Sequence, residues 1–223
     1  TGNLHLPRYG LQKYLHATPQ PPPDAKEAAV LADLNRAGKR LLGYVKTNLF
    51  KRLESSGHSF LLSLERHVVR NHILLHALDQ GLPLPIGTQF GDTLDASDAD
   101  DEALALELEN TSNGPLLTAA DFAARAAALY RLLETTQKEK FRWVRPGLFS
   151  DALAHDLRED AEALRTILEQ TGTWKPDHDA KLAKLLRLVG KKHKNEKLLI
   201  FSQFADTVRY LDGELHRAGT KTI

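Results

Sequence analysis

Apolar residues recur at spacings of three and four along most of this chain, the periodicity of helices that bury one face. From Asp24 a helix is expected, with Asp24 as its N-cap and Ala28, Leu31, Leu34, Leu41 and Leu42 at helical spacing. Gly38 weakens that helix, and Gly43 is its candidate end. The stretch TNLFKRLESSGHSFLLSLERHVVRNHILLHALDQG sets Leu61, Leu64, Val68, Leu75 and Leu78 on one face, with Arg66, Arg70 and Asn71 elsewhere. It reads as an amphipathic helix against a partner, stopped by Asp79-Gln80-Gly81 and Pro83. Thr118 caps a further helix, TAADFAARAAALYRLLETTQKEK. After a break at WVRPG, Phe149, Leu153, Leu157, Ala161, Leu164 and Leu168 form a stripe that Gly172 closes.

The last part has a different pattern. A helix, DHDAKLAKLLRLVGKKHK, turns Leu182, Leu185, Leu186 and Val189 inward and leads to LLIF at 198–201, a short apolar run expected to be a buried strand. TVRYLDGELHRAG then resumes helical spacing through Val208, Leu211 and Leu215. Helix, strand, helix and TKTI make the beginning of a βαβ unit, which requires further parallel strands. Three regions follow: an extended, proline-rich leading segment over 1–23, a helical domain over 24–175, and the strand–helix unit over 176–223. Within the second, residues from about 87 to 113 are acidic and rich in Gly, Ser, Asn and Thr, and are expected to form a surface loop. No repeat of solenoid period is found.

Composition adds few constraints. Lys+Arg 30 against Asp+Glu 29 gives a formal charge of +1, so nucleic-acid contact has to come from local patches. The chain has no cysteine, which excludes disulfides and thiolate chemistry and fits a cytoplasmic location. No run approaches the ~18 to 20 apolar residues that span a bilayer, and no membrane partner is expected. Methionine is also missing, even at position 1, and RAGTKTI stops as a new strand begins, so a piece of a longer protein is expected.

Most candidate chemistry has a plainer reading. Gly38-Lys39 and Gly190-Lys191 lack the glycine and Ser/Thr of a phosphate-binding loop. Asp101-Glu102-Ala103-Leu104 lies in the acidic loop, where nothing fixes carboxylates against a metal. His72 and His76 have ligand spacing without a third ligand or a glutamate base. Ser55, Ser56, Ser59 and Ser63, with His58 and His67, lack the elbow of a serine hydrolase and are read as caps and surface hydroxyls. Asp151, Asp156, Glu159, Asp160 and Glu162 are read as a solvated face. No catalytic or metal-binding residue is assigned. The basic groups around Lys46, Lys51, Arg52, Arg66 and Arg70, and around Lys191 to Lys197, are the candidates for phosphate contact.

KLLIFSQFADTVRYL, residues 197–211, resembles the opening strand and helix of the second RecA-like lobe in SNF2-family ATPases of helicase superfamily two. TNLFKRLESSGHSF at 47–60 is similar to a K-R-x-E-S-S segment that bacterial members carry before that lobe, and DHDAKLAKLLRLV resembles their pre-strand helix. The resemblance covers about a third of the chain. It implies a mainly α fold: a bundle-like linker or insertion domain followed by the truncated start of a RecA-like α/β lobe. It also implies a part of an ATP-driven translocase on double-stranded DNA, coupling the lobes. Ser202 and Gln203 are then expected near the DNA backbone, joined by the basic Lys51, Arg52 and Lys197. The phosphate loop and acidic box of the first lobe and the later second-lobe motifs are not in the chain. This part is therefore expected to bind no cofactor and to catalyse nothing alone, while the parent would use ATP and magnesium, with the remaining lobes as partners. The competing expectation is a self-contained helical protein-interaction module with no nucleic-acid role.

Overall fold

The computed structural model describes residues 4–87, 118–136, 138–194 and 196–220, with backbone alone for 35–41. The described chain is mainly helical. Helix α1 spans Ala25–Ser55 and starts as expected: Asp24 accepts the Glu27 amide at 2.8 Å while the Glu27 carboxylate accepts the Asp24 amide at 3.1 Å. It does not end at Gly43 but runs through both glycines to Ser55. A helical glycine costs roughly 1 kcal/mol, which burial of Val30, Leu34 and Val45 along the same helix outweighs.

The break falls at Ser56, which is extended and caps α2, Gly57–Asp79, its hydroxyl accepting the Ser59 amide. Gly57 is required there for lack of space. A Cβ on it would lie 2.5 Å from Cζ3 of Trp174, far inside van der Waals contact.

Helix α2 is the centre of the molecule. Around it pack α1, α3 (Ala119–Thr136) and α4 (Asp151–Thr171), so it buries Leu64, Val68, Val69, Ile73, Leu74 and Leu75 rather than one narrow stripe. That surrounding explains a correction: Arg66 and Asn71, expected on the polar face, are buried. The α4 stripe is as expected, with Leu153, Leu157, Ala161 and Leu164 all in the core. His72 and His76 are half-buried, facing the rings of Phe122 and Tyr130.

A two-stranded antiparallel ribbon was not expected. Strand β1, Leu84–Gly87, pairs with β2, Phe141–Val144, with Leu84 opposite Val144 and Gly87 opposite Phe141. Tyr130 holds its approach by donating to the Pro83 carbonyl at 2.8 Å.

The leading segment is not extended throughout. Pro7–Tyr9 and Leu11–Tyr14 form 3-10 turns that bury Leu6, Tyr9, Leu11 and Tyr14. The amides of His5 and Leu6 donate to Asp160 at 2.8 and 2.7 Å, and the Tyr14 hydroxyl donates to Asp156 at 2.6 Å. Asp160 is thus buried beneath the segment instead of solvated, and burial pushes its carboxyl above the ordinary value.

After α4 the chain passes Trp174 to α5, Ala180–Arg187, capped by Asp179, which accepts the Lys181 and Leu182 amides at 3.0 Å. A wider π turn, Leu188–Lys192, follows, and then α6, Ala205–Arg217. Of the residues expected to face inward from α5, Leu182 is buried and Leu185, Leu186 and Val189 are half-buried. Between the turn and α6, LLIF is neither a strand nor buried: Leu199 is 85% and Phe201 88% exposed. A strand's amides and carbonyls need a neighbour, and no described segment pairs with 198–201. On α6 Val208 faces outward, Leu211 is half-buried and Leu215 is buried. Residues 88–113 of the expected acidic loop, with Asp101 to Leu104, lie outside the described residues. No described helix is long and apolar enough to cross a membrane.

Candidate functional site

Helices α1 and α2 meet in an elbow at Ser56, and α6 lies against α2 beside it. The contact between these elements is largely polar. Arg66 grips Asp206 with both terminal nitrogens, Nη1 to Oδ2 at 2.6 Å and Nη2 to Oδ1 at 2.9 Å. Arg52 adds Nη1 to Oδ2 at 2.9 Å, and its guanidinium carbon stands 4.8 Å over the Phe204 ring. All three charged side chains are buried. Burial alone would raise the Asp206 carboxyl; the Arg66 hydrogen bonds and the Arg66 and Arg52 charges more than offset it, holding the group below the ordinary carboxylate value.

A row of hydroxyls continues the contact. Thr207 Oγ1 lies 2.9 Å from both Ser55 Oγ and Ser59 Oγ, and Ser55 Oγ is 3.4 Å from Ser202 Oγ. Ser63 donates to the Ser59 carbonyl at 2.8 Å. Ser59 and Ser63 are therefore interior bonds, not the surface hydroxyls expected. Beyond them His58 stacks on Tyr210, ring centroids 4.7 Å apart, and Trp174 Nε1 donates to the Tyr210 hydroxyl at 3.0 Å. That hydroxyl donates onward to Asp179 at 3.1 Å. Burial lowers the His58 pKa, opposed by the charges of Asp206 and Glu214, and burial pushes the Tyr210 phenol up to about 12.

The residues singled out from the sequence divide here. Ser202 is half-buried, its hydroxyl accepting the Phe204 amide at 3.2 Å, so it shapes the turn into α6. Gln203, Lys51 and Lys197 are exposed. Arg52 is directed inward to Asp206 rather than outward to solvent. Sequence reasoning missed Asp206, Thr207, Ser59 and Arg66 as a unit. The signal was present: polar residues at 52, 55, 59 and 66 recur at helical spacing, matched by the acid at 206 and its neighbour at 207.

Arg52 and Arg66 also line a small cavity of about 30 Å³, with Arg70, His67, Asn48 and Tyr44 around it. Tyr9 forms part of its wall, edge-on to His67 at 5.8 Å.

Comparison with protein-family models, with curated proteins and with solved structures gives no match.

Proposed function

We propose that this chain is the inter-lobe part of an SNF2-type DNA translocase, in which α1 and α2 hold the first helix of a RecA-like lobe. The observation that carries the reading is a meeting of two strings. KRLESS and IFSQFADT, each singled out by its own resemblance and about 150 residues apart, are joined through Arg52–Asp206 and Ser55–Thr207. The exposed LLIF is what an opening strand looks like before its sheet neighbours are present. In this role the elbow transmits movement of the lobe to the helical domain, while exposed Lys51, Lys197 and Gln203 meet phosphates. ATP and magnesium are needed by the parent and held elsewhere.

Duplex-DNA titration of the 223-residue chain at several salt concentrations tests this. Binding should weaken with salt, and Lys51→Ala with Lys197→Ala should reduce the log–log slope by about two, close to one per phosphate contact. The chain alone should show no DNA-stimulated ATP hydrolysis. Salt-independent or absent binding would turn the reading to the helical interaction module. One observation favours that alternative: the main core is built from residues between Leu11 and Leu164 and includes no residue of 198–201 or of α6.

A further inference from the structure

We infer that His5, Asp156 and Glu159 form a binding site for a divalent transition-metal ion, which fastens the leading segment to α4. One ring nitrogen of His5, one oxygen of Asp156 and one of Glu159 lie within 4.8 Å of one another, brought together from two distant segments. The His5 ring stands between the carboxylates, Nδ1 3.6 Å from Asp156 Oδ2 and Nε2 3.3 Å from Glu159 Oε2. These separations exceed a good N–H···O bond of about 2.7–3.2 Å, but match the edge of about 3.3–3.6 Å between tetrahedral ligands held around one ion. In its neutral form the imidazole carries one N–H, so it serves one carboxylate and turns a lone pair toward the other. An ion on that nitrogen removes the conflict. It also answers the charge, since Asp156, Glu159 and Asp160 share one helical turn and, among the described residues, no lysine or arginine pairs with any of them.

The ligands are held in advance. The amides of His5 and Leu6 donate to the two oxygens of Asp160 at 2.8 and 2.7 Å, which sets the His5 backbone over α4 and makes Asp160 an anchor rather than a ligand. Tyr14 orients Asp156 by donating to its Oδ2 at 2.6 Å, and His155 Nε2 lies 3.4 Å from Glu159 Oε1 while Oε2 faces His5. One imidazole with two carboxylates suits zinc or manganese, zinc the more tightly; calcium and magnesium take oxygen ligands, and copper(I) takes sulfur. Three protein ligands leave a fourth position for water. The site needs no lobe motion, ATP or translocation, so it stands apart from the translocase proposal.

The test titrates zinc chloride into the chelator-treated 223-residue chain near neutral pH, followed by calorimetry and imidazole proton NMR. Saturable binding of one ion is expected, with shifts in the ring resonances that His5→Ala deletes and with raised exchange protection of the His5 and Leu6 amides. His5→Ala and Glu159→Gln should each weaken binding about tenfold or more, and so should Tyr14→Phe, which keeps every ligand but frees Asp156. His193→Ala, whose ring pairs with Glu196 away from the site, should leave it unchanged. Helical content by circular dichroism and the unfolding midpoint check that the variants fold. Absence of saturable binding, binding unchanged in folded His5→Ala and Glu159→Gln, an equal loss in His193→Ala, or calcium bound as tightly as zinc overturns the site.

Discussion

Replacing Asp206 by alanine leaves Arg52 and Arg66 buried beside an absent carboxylate, and breaking a buried ion pair from one side costs about 3–5 kcal/mol. The loss should appear as lowered unfolding free energy, or as lost amide-exchange protection confined to Ala205–Arg217 if α6 releases alone; unchanged protection would contradict the structure. Acid acts on the same contact. Asp206 has a folded pKa below its ordinary 3.8, so its contribution is present above that value and is lost as pH falls through the folded one. His58 has a folded pKa below 6.5, so as pH falls below 6.5 the unfolded chain takes up the proton first and stability declines. Asp160 runs the other way: raised above 3.8, it makes the folded state bind its proton first, so acid relieves its cost. Burial lowers the His72 pKa likewise, so stability followed from pH 7 downward should fall in an upper step that His58→Phe diminishes while the His72 share stays, since phenylalanine keeps the stacked ring without the titration.

At the scale of elements, the elbow between α1 and α2 depends on Gly57. Alanine there meets the Trp174 ring, and overpacking of this kind costs about 1–3 kcal/mol. Trp174→Ala should relieve that clash, so the double variant should lose clearly less than the sum of the single ones in a thermodynamic cycle. The apolar stripe of helix α4 was legible because one row of leucines faces one core, whereas buried Asp160 was not, since the amides that cover it belong to His5 and Leu6, far away in the chain. The α1–α2 boundary was not, because the glycine that permits the break sits there for a tryptophan over a hundred residues away, while two other glycines lie inside a helix that tolerates them. Leu84–Gly87 and Phe141–Val144 are too short to show alternation beside their flanking prolines. LLIF has a strand's composition, but a strand is made by its neighbours, and composition does not report whether they are there. The polar contact was hidden because apolar periodicity locates cores, whereas here two arginines, an aspartate and a row of hydroxyls join the elements.

Over the whole molecule, two kinds of cohesion operate. Leu11 to Leu164 supply a continuous apolar core around α2, while α6 is attached by buried charge and hydroxyls with Phe204, Tyr210 and Leu215 beside them. The chain has two tryptophans, and they fall one to each regime: Trp143 in the ribbon against Tyr130, Trp174 against Gly57 and Tyr210. Trp143→Phe would leave a single indole whose emission reports only the attachment of α6. In that background Asp206→Ala should shift emission to the red while far-ultraviolet ellipticity stays near its starting value. The protein thus carries an intrinsic optical gauge, and the tryptophan that dictates the glycine at the elbow also signals whether the last helix is seated.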